Sequence, residues 1–219
     1  MKKKLLAGLV TGLFLSVAGV ASAVPLAVNA YTPLSGTTVG VNPNLAGTII
    51  VDDLVEFSFS GYGGTVSGDV QFRVVRAIDN TYDFYWRVFN DSDSAGAIGD
   101  FRIGNFITSI YDADFRIDGL GDIGPNYAYL FGDPFPGYVN FSFSAGLQAG
   151  MNSKFFFLDT DATSFDRTLI YDLTTVGQSE HSDRYSLGYA PSASVPEPAT
   201  MLLFSTGLVG LAGLRRKKK

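Results

Sequence analysis

The chain has 219 residues, of which 46% are hydrophobic, 14% aromatic and 17% charged, a composition that is typical of a folded domain and excludes an intrinsically disordered chain. It has no cysteine and one histidine, which excludes disulfides, thiolate metal sites, cysteine nucleophiles and multi-histidine metal centres. Half of the 16 basic residues lie at the two termini, so residues 24–195 carry eight basic residues against 20 of the 21 acidic ones, a net charge of −12 that disfavours nucleic acid as a partner.

The first 23 residues have the pattern of a secretory signal peptide. Lysines at positions 2–4 precede an apolar run, Leu5–Val20, and Ala21 and Ala23 stand at the two small-residue positions of a signal-peptidase site. We therefore expect signal peptidase to cleave after Ala23 and the protein to be exported; the alternative is an uncleaved N-terminal membrane anchor. A mature chain without cysteine agrees with export, because it has no thiol to oxidise outside the cytoplasm.

Residues 24–190 show the period-two alternation of half-buried β-strands. Clusters of glycine, aspartate and asparagine separate the alternating runs, and no comparable stretch shows helical periodicity. We predict one all-β domain, an antiparallel β-sandwich or jelly-roll-like fold. The predicted strands lie near residues 48–59, 66–78, 81–90, 100–107, 138–144, 153–158, 167–173 and 184–189.

The segment 66–90 is predicted to be a β-hairpin. Its two alternating runs flank Asp79 and Asn80, residue types that tolerate the left-handed backbone conformations of tight turns. Trp86 falls on the apolar side of the second run, so we predict that it lies in the core.

The segment Asp91–Gly96 begins like a calcium-binding loop, with carboxylates at alternate positions and glycine at the sixth. Ala95 occupies the fifth position and Arg102 the twelfth, where an EF-hand needs a bidentate glutamate. This pattern excludes an EF-hand and leaves open a looser calcium site.

Two further acidic pairs, Asp112 with Asp114 and Asp159 with Asp161, each place two carboxylates on one face of an extended segment. Two carboxylates in a cleft could hydrolyse a glycan, but no motif selects one pair among the 21 acidic residues. His181 lies in a polar run without a G-x-S-x-G motif, and we interpret it as a solvated loop residue. We expect no catalytic residue, no resident metal and no cofactor.

Aromatic side chains in or beside glycine- and proline-rich loops are candidates for stacking on sugar rings. The alternative is that they pack the loops onto the ends of the sandwich. They are Tyr62, Tyr127, Tyr129, Phe131, Phe135 and Tyr138.

The C-terminal segment combines three features in order. After a short linker, residues 191–195, come Pro196, Glu197 and Pro198, and then an apolar run over residues 199–214. We predict a transmembrane helix there. Its 16 residues span about 24 Å, which is enough to cross the roughly 30 Å hydrocarbon core when the basic side chains at its end snorkel to the membrane surface. The basic cluster that follows predicts a cytoplasmic C-terminus. It consists of Arg215, Arg216, Lys217, Lys218 and Lys219.

This order, Pro-Glu-Pro, apolar helix and basic cluster over residues 196–219, resembles the PEP-CTERM sorting signal of bacterial surface proteins. The resemblance implies recognition of Pro196, Glu197 and Pro198 by an exosortase, a membrane-embedded cysteine protease, which removes the helix. The protein would then pass through the inner membrane to the cell surface or extracellular matrix of a Gram-negative bacterium. The two prolines also hold the junction extended and exposed, the form that proteases bind. The alternative is a plain tail anchor with a proline-rich stalk.

The central region is similar to a type of domain found in PEP-CTERM proteins. The similar pieces are Tyr82–Asn90, Gly99–Phe106 and Phe155–Phe165, and no chemistry transfers with them.

Our leading hypothesis is a non-enzymatic, structural or adhesive surface or matrix protein, with exopolysaccharide as a candidate partner. The alternative is a carbohydrate- or calcium-binding module that its C-terminal helix anchors permanently. A secreted hydrolase would need a cleft that gathers two carboxylates, one of them with a raised pKa.

Overall fold

The computed structural model describes residues 23–192, which form a sandwich of two six-stranded antiparallel sheets. Sheet A has the strand order β1-β7-β10-β5-β4-β3, and sheet B has the order β12-β11-β6-β9-β8-β2. This arrangement confirms the predicted all-β class and antiparallel sandwich. The strands are β1 (Val24–Pro25), β2 (Tyr31–Pro33), β3 (Thr48–Gly61), β4 (Gly64–Arg76), β5 (Tyr82–Asn90), β6 (Ile98–Gly104), β7 (Asp112–Phe115), β8 (Tyr127–Leu130), β9 (Val139–Leu147), β10 (Phe156–Asp159), β11 (Phe165–Thr175) and β12 (Tyr185–Pro191).

The core lies between the sheets and is rich in aromatic side chains. Trp86 on β5 is 1% exposed, which confirms its predicted position. Its ring centroid lies 6.0 Å from Phe101 and 5.8 Å from Phe141, both on sheet B, and 6.0 Å from Phe156 on sheet A. Inward-facing aromatic residues from both sheets therefore form one continuous apolar layer.

All eight strands predicted from alternation are present, and so is the hairpin over residues 66–90. Asn80 has a φ of 72°, and the amide of Thr81 donates to Asp79 Oδ1 at 3.0 Å, as expected of a tight turn. The sequence analysis missed the four short strands β1, β2, β7 and β8.

A long segment, residues 34–47, crosses the outer face of sheet A and is called here the strap. It contains a single 3-10 turn, Pro43–Leu45, whose Leu45 is 3% exposed. Leu45 packs in a second apolar cluster with Tyr85 and Phe157, which lie on the side of sheet A that faces away from the main core. Sheet A is therefore covered on both faces along this stretch.

Several predictions fall outside the described residues. These are the signal peptide up to residue 22, the Pro196–Pro198 motif, the helix over residues 199–214 and the basic cluster after it. Strand β12 ends at Pro191, the first residue of the predicted linker. Between residues 23 and 192, no helix has the length and apolar character needed to cross a membrane.

Candidate binding face

The outer face of sheet B presents both aromatic and polar side chains. On β9, Phe141 and Phe143 point into the core, so Asn140 and Ser142 point outward by alternation. Arg102 on β6 is the cross-strand partner of Asn140, which is paired on its other side with Tyr129 on β8. A row across three strands therefore places a guanidinium, an amide and an aromatic ring side by side.

Aromatic rings form a continuous ladder along the β2 and β8 edge of this face. The centroid of Tyr31 lies 5.1 Å from that of Tyr127 and 4.9 Å from that of Tyr129, which lies 4.7 Å from Phe131. Tyr31 is 67% exposed and Phe131 is 36% exposed. We call Tyr31, Tyr127, Tyr129 and Phe131 the aromatic ladder; it offers an apolar surface on which a flat ring can stack.

Beside the ladder, a buried carboxylate organises the polar side chains. Asp100 on β6 is 3% exposed and accepts hydrogen bonds from Asn140 Nδ2 at 3.1 Å, Thr174 Oγ1 at 2.8 Å and Gln178 Nε2 at 3.0 Å, and also from the Ser142 hydroxyl. Four donors thus satisfy this charge without a basic partner. The network fixes the orientation of side chains on three neighbouring segments.

A second polar group that hydrogen bonds hold in place is Arg102, two residues after Asp100 on β6. Arg102 Nε donates to Asp172 Oδ1 at 2.5 Å and its Nη2 donates to Asp172 Oδ2 at 3.0 Å. The two residues are cross-strand partners on β6 and β11. This bidentate geometry holds the guanidinium flat and leaves its remaining N–H groups as donors.

Two cavities follow one another on this face. One, of about 280 Å³, has Phe131, Phe135, Tyr138 and the Arg102–Asp172 pair among its lining residues. The other, of about 300 Å³, has Tyr31, Tyr127, Asn140, Ser142 and Gln178 among its lining residues. Each cavity is therefore lined by both aromatic residues and polar groups that hydrogen bonds hold in place.

Five of the six predicted aromatic residues meet on this face: Tyr127, Tyr129, Phe131, Phe135 and Tyr138. Tyr127 and Tyr129 lie on strand β8, beside the loop that precedes it. Tyr62 does not belong to this face. Its hydroxyl donates to the Ala97 carbonyl at 3.2 Å and accepts from the Val176 amide at 3.0 Å, so its side chain connects two other loops.

The sequence analysis missed Tyr31, Arg102, Asn140 and Asp172 as members of this face. Arg102, Asn140 and Asp172 stand in predicted strands, so alternation alone could have placed them outward. Tyr31 lies on a strand of three residues, which is too short to show alternation.

The structure does not group the acidic residues in the pairs that the sequence suggested. Asp159 is the cross-strand partner of Asp112, and Asp83 lies one position beyond the Phe84–Leu158 pair, so three neighbouring strands present a row of carboxyl groups. Asp161 is separate and accepts from the hydroxyls of Thr108 and Ser109. Among residues 23–192, no group of three or more aspartate, glutamate or histidine side chains could hold a metal ion.

Burial changes the chemistry of this row. Desolvation, reinforced by the charge of Asp159, raises the pKa of Asp83 to about 8, and the side chain is 0% exposed. Desolvation and the charge of Asp112 raise the pKa of Asp159 to about 6. At neutral pH Asp83 therefore keeps its proton, and its Oδ2 has no hydrogen-bond partner among residues 23–192.

The remaining candidates have local partners. Asp91 Oδ2 accepts from Ser67 Oγ at 2.8 Å, which ties the calcium-like loop to β4. Asp114 Oδ1 accepts from the amide of Gly36 in the strap at 2.7 Å. His181 is exposed, and its Nδ1 lies 2.9 Å from the Ser182 carbonyl. Ala23 is buried and belongs to the second apolar cluster, together with Leu45 and Tyr85.

Comparison with known proteins identifies the C-terminal segment. Residues 194–217 match the family model of the PEP-CTERM protein-sorting motif. No curated protein and no solved structure matches the chain. The match confirms the resemblance carried by Pro196–Pro198, the apolar run and the basic cluster, and it supports an exported protein that an exosortase sorts to the cell envelope.

Proposed function

We propose that this protein is a non-enzymatic component of the cell surface or extracellular matrix, which an exosortase cleaves at Pro196–Pro198 and releases from its C-terminal helix. The observation that carries this proposal is the sorting motif at residues 194–217, placed directly after a complete sandwich whose last strand ends at Pro191. The two prolines of the motif are predicted to hold the junction extended, which would let the folded domain reach a membrane-embedded protease without unfolding.

The buried carboxyl pair supports a non-enzymatic role. Asp83 and Asp159 have raised pKa values, which is one requirement of a glycan-hydrolysing site. Asp83 is 0% exposed, so no substrate reaches it. The two cavities of sheet B are lined by neither residue.

Intact mass of the protein recovered from the cell envelope and culture medium tests the proposal. We expect the native protein to begin at Val24 and to end near Pro196–Pro198. Glu197→Ala removes the one charge of the motif, and we expect this variant to keep its apolar tail. The matched control is Glu56→Ala on the exposed side of β3, which should be processed like the native chain.

A native protein that still ends at Lys219 would contradict the proposal. The C-terminal helix would then be a permanent anchor, and the domain would remain attached to the membrane.

A further inference from the structure

We propose that the outer face of sheet B binds a neutral polysaccharide, with sugar rings stacked on the aromatic ladder and hydroxyl groups bonded to the polar side chains beside it. This inference deepens the proposed function, because residence in a matrix would bring this face against polysaccharide. It names a binding site and a ligand class that the sorting motif does not specify.

The length of the site favours a chain over a single sugar. The two cavities adjoin residues 138–144, which run from just before β9 into its first half. At about 3.3 Å per residue this stretch spans about 20 Å. Aromatic rings accompany it at both ends, from Tyr31 and Tyr127 to Phe131 and Tyr138. A polymer of linked rings can occupy such a groove continuously, whereas one small molecule would fill a single cavity.

The orientation of Asn140 adds a specific polar requirement. Its Nδ2 donates to the Asp100 carboxylate at 3.1 Å, which fixes the other amide atom, Oδ1, as an acceptor. This Oδ1 is buried and has no hydrogen-bond partner among residues 23–192, although Asn140 lines the 300 Å³ cavity. A hydroxyl group that enters the cavity would supply the missing hydrogen bond, which a purely apolar partner could not do.

Charge selects a neutral polymer over an acidic one. The region 24–195 carries a net charge of −12, which repels polyanions such as uronic-acid polymers. On the face itself, Arg102 is already paired with Asp172, and Arg184 is a second cation that lines the 280 Å³ cavity. The polar groups that remain are amides, hydroxyls and guanidinium N–H donors, which suit the hydroxyls of uncharged pyranose rings.

Native affinity electrophoresis of the protein recovered from the cell envelope and medium, after its mass has been measured, tests this inference. The gels contain hydroxyethyl cellulose, arabinoxylan or galactomannan as neutral probes, alginate as an acidic probe, or no polymer. We expect slower migration in at least one neutral gel and unchanged migration in alginate. Because mass is measured first, failure of processing and failure of binding are read separately.

Three variants locate the site. Tyr31→Ala removes the most exposed rung of the ladder and should weaken retardation about tenfold. Asn140→Ala should weaken it as well, and circular dichroism of this variant shows whether the sandwich is retained. The matched control is Leu54→Ala, which truncates a 60% exposed apolar side chain on sheet A and should bind like the native protein.

Two results would overturn the inference. The first is unchanged migration of the native protein in all three neutral gels. The second is a dimer that Tyr31→Ala converts to a monomer in size-exclusion chromatography, together with no retardation by polysaccharide. That result would assign the face to contact between two copies of the chain.

Discussion

Among single residues, the buried carboxyl of Asp83 links stability to pH. The native state holds this proton up to about pH 8, whereas an unfolded aspartate releases it near 3.8. Between these values the native state binds more protons than the unfolded chain, so the free energy of unfolding falls as the pH rises. One such proton gives a slope of at most about 1.4 kcal/mol per pH unit.

Asp83→Asn should reduce this pH dependence. An asparagine amide can donate toward Asp159 and its oxygen can accept from the Thr160 amide, as Asp83 Oδ1 does at 3.4 Å. It has no proton to lose, so the variant should gain stability over the native protein at pH 8 and gain less at pH 5. Urea denaturation at the two pH values measures the difference.

Asp161→Asn is the matched control for that experiment. Hydroxyls of Ser109 and Thr108 lower the pKa of Asp161, so its contribution to stability is present above an unfolded pKa near 3.8 and is lost at lower pH. This variant should therefore be no more stable than the native protein at pH 8. Parallel pH profiles for the native protein and Asp83→Asn would show that Asp83 titrates normally.

Alternation could place Asp83 on the outward side of β5, together with Tyr85 and Arg87, but it could not predict that this side is buried. The strap that covers it lies 36 or more residues earlier in the chain and has no periodicity of its own. The raised pKa therefore depends on a contact distant in sequence. Asn140 and Arg102 differ in this respect, since their strand register alone places them together.

At the level of elements, the strap is held by hydrogen bonds from its backbone amides to carboxylates and by apolar side chains, of which Leu34 and Leu45 are buried. Asp114 Oδ1 accepts from the Gly36 amide, and Asp118 Oδ2 accepts from the Val39 amide at 2.9 Å. Leu45 fills the space over Tyr85. We expect Leu45→Ala to lower the free energy of unfolding by about 2–4 kcal/mol, because it opens a cavity beneath the strap.

Val41→Ala provides the matched control on the same segment. Val41 is 36% exposed, so its truncation should change stability by less than about 1 kcal/mol. The stability of both variants is measured by thermal denaturation at pH 5, because Asp83 and Asp159 both hold their protons at that pH. Equal effects of the two substitutions would mean that the strap does not pack on sheet A in solution.

Short edge strands explain why part of the fold escaped prediction. Strands β1 and β2 have two and three residues, and each ends in proline, which is usually evidence against a strand. Both lie at the edge of their sheet, where proline is tolerated because no neighbour needs its missing N–H. Strands β3, β4, β5 and β9 were predictable because their alternating runs exceed this length.

For the whole molecule, net charge should limit stability at neutral pH. A charge of −12 over residues 24–195 makes the compact state repel itself, and salt screens that repulsion. We expect the melting temperature at pH 7 to rise between 0.05 and 0.5 M NaCl, concentrations that shorten the Debye length from above to below about 10 Å. A melting temperature that falls or stays constant would contradict this view.

A comparison of calcium with magnesium tests whether the domain has a specific cation site. Screening depends on ionic strength and valence rather than on the identity of the ion, so CaCl₂ and MgCl₂ at equal concentration should raise the melting temperature equally. A specific site distinguishes the two, because calcium accepts six to eight flexible oxygen ligands whereas magnesium demands octahedral geometry. A larger rise with calcium would therefore reveal a calcium site, and Asp91→Asn would then test whether the loop beside Ser67 holds the ion.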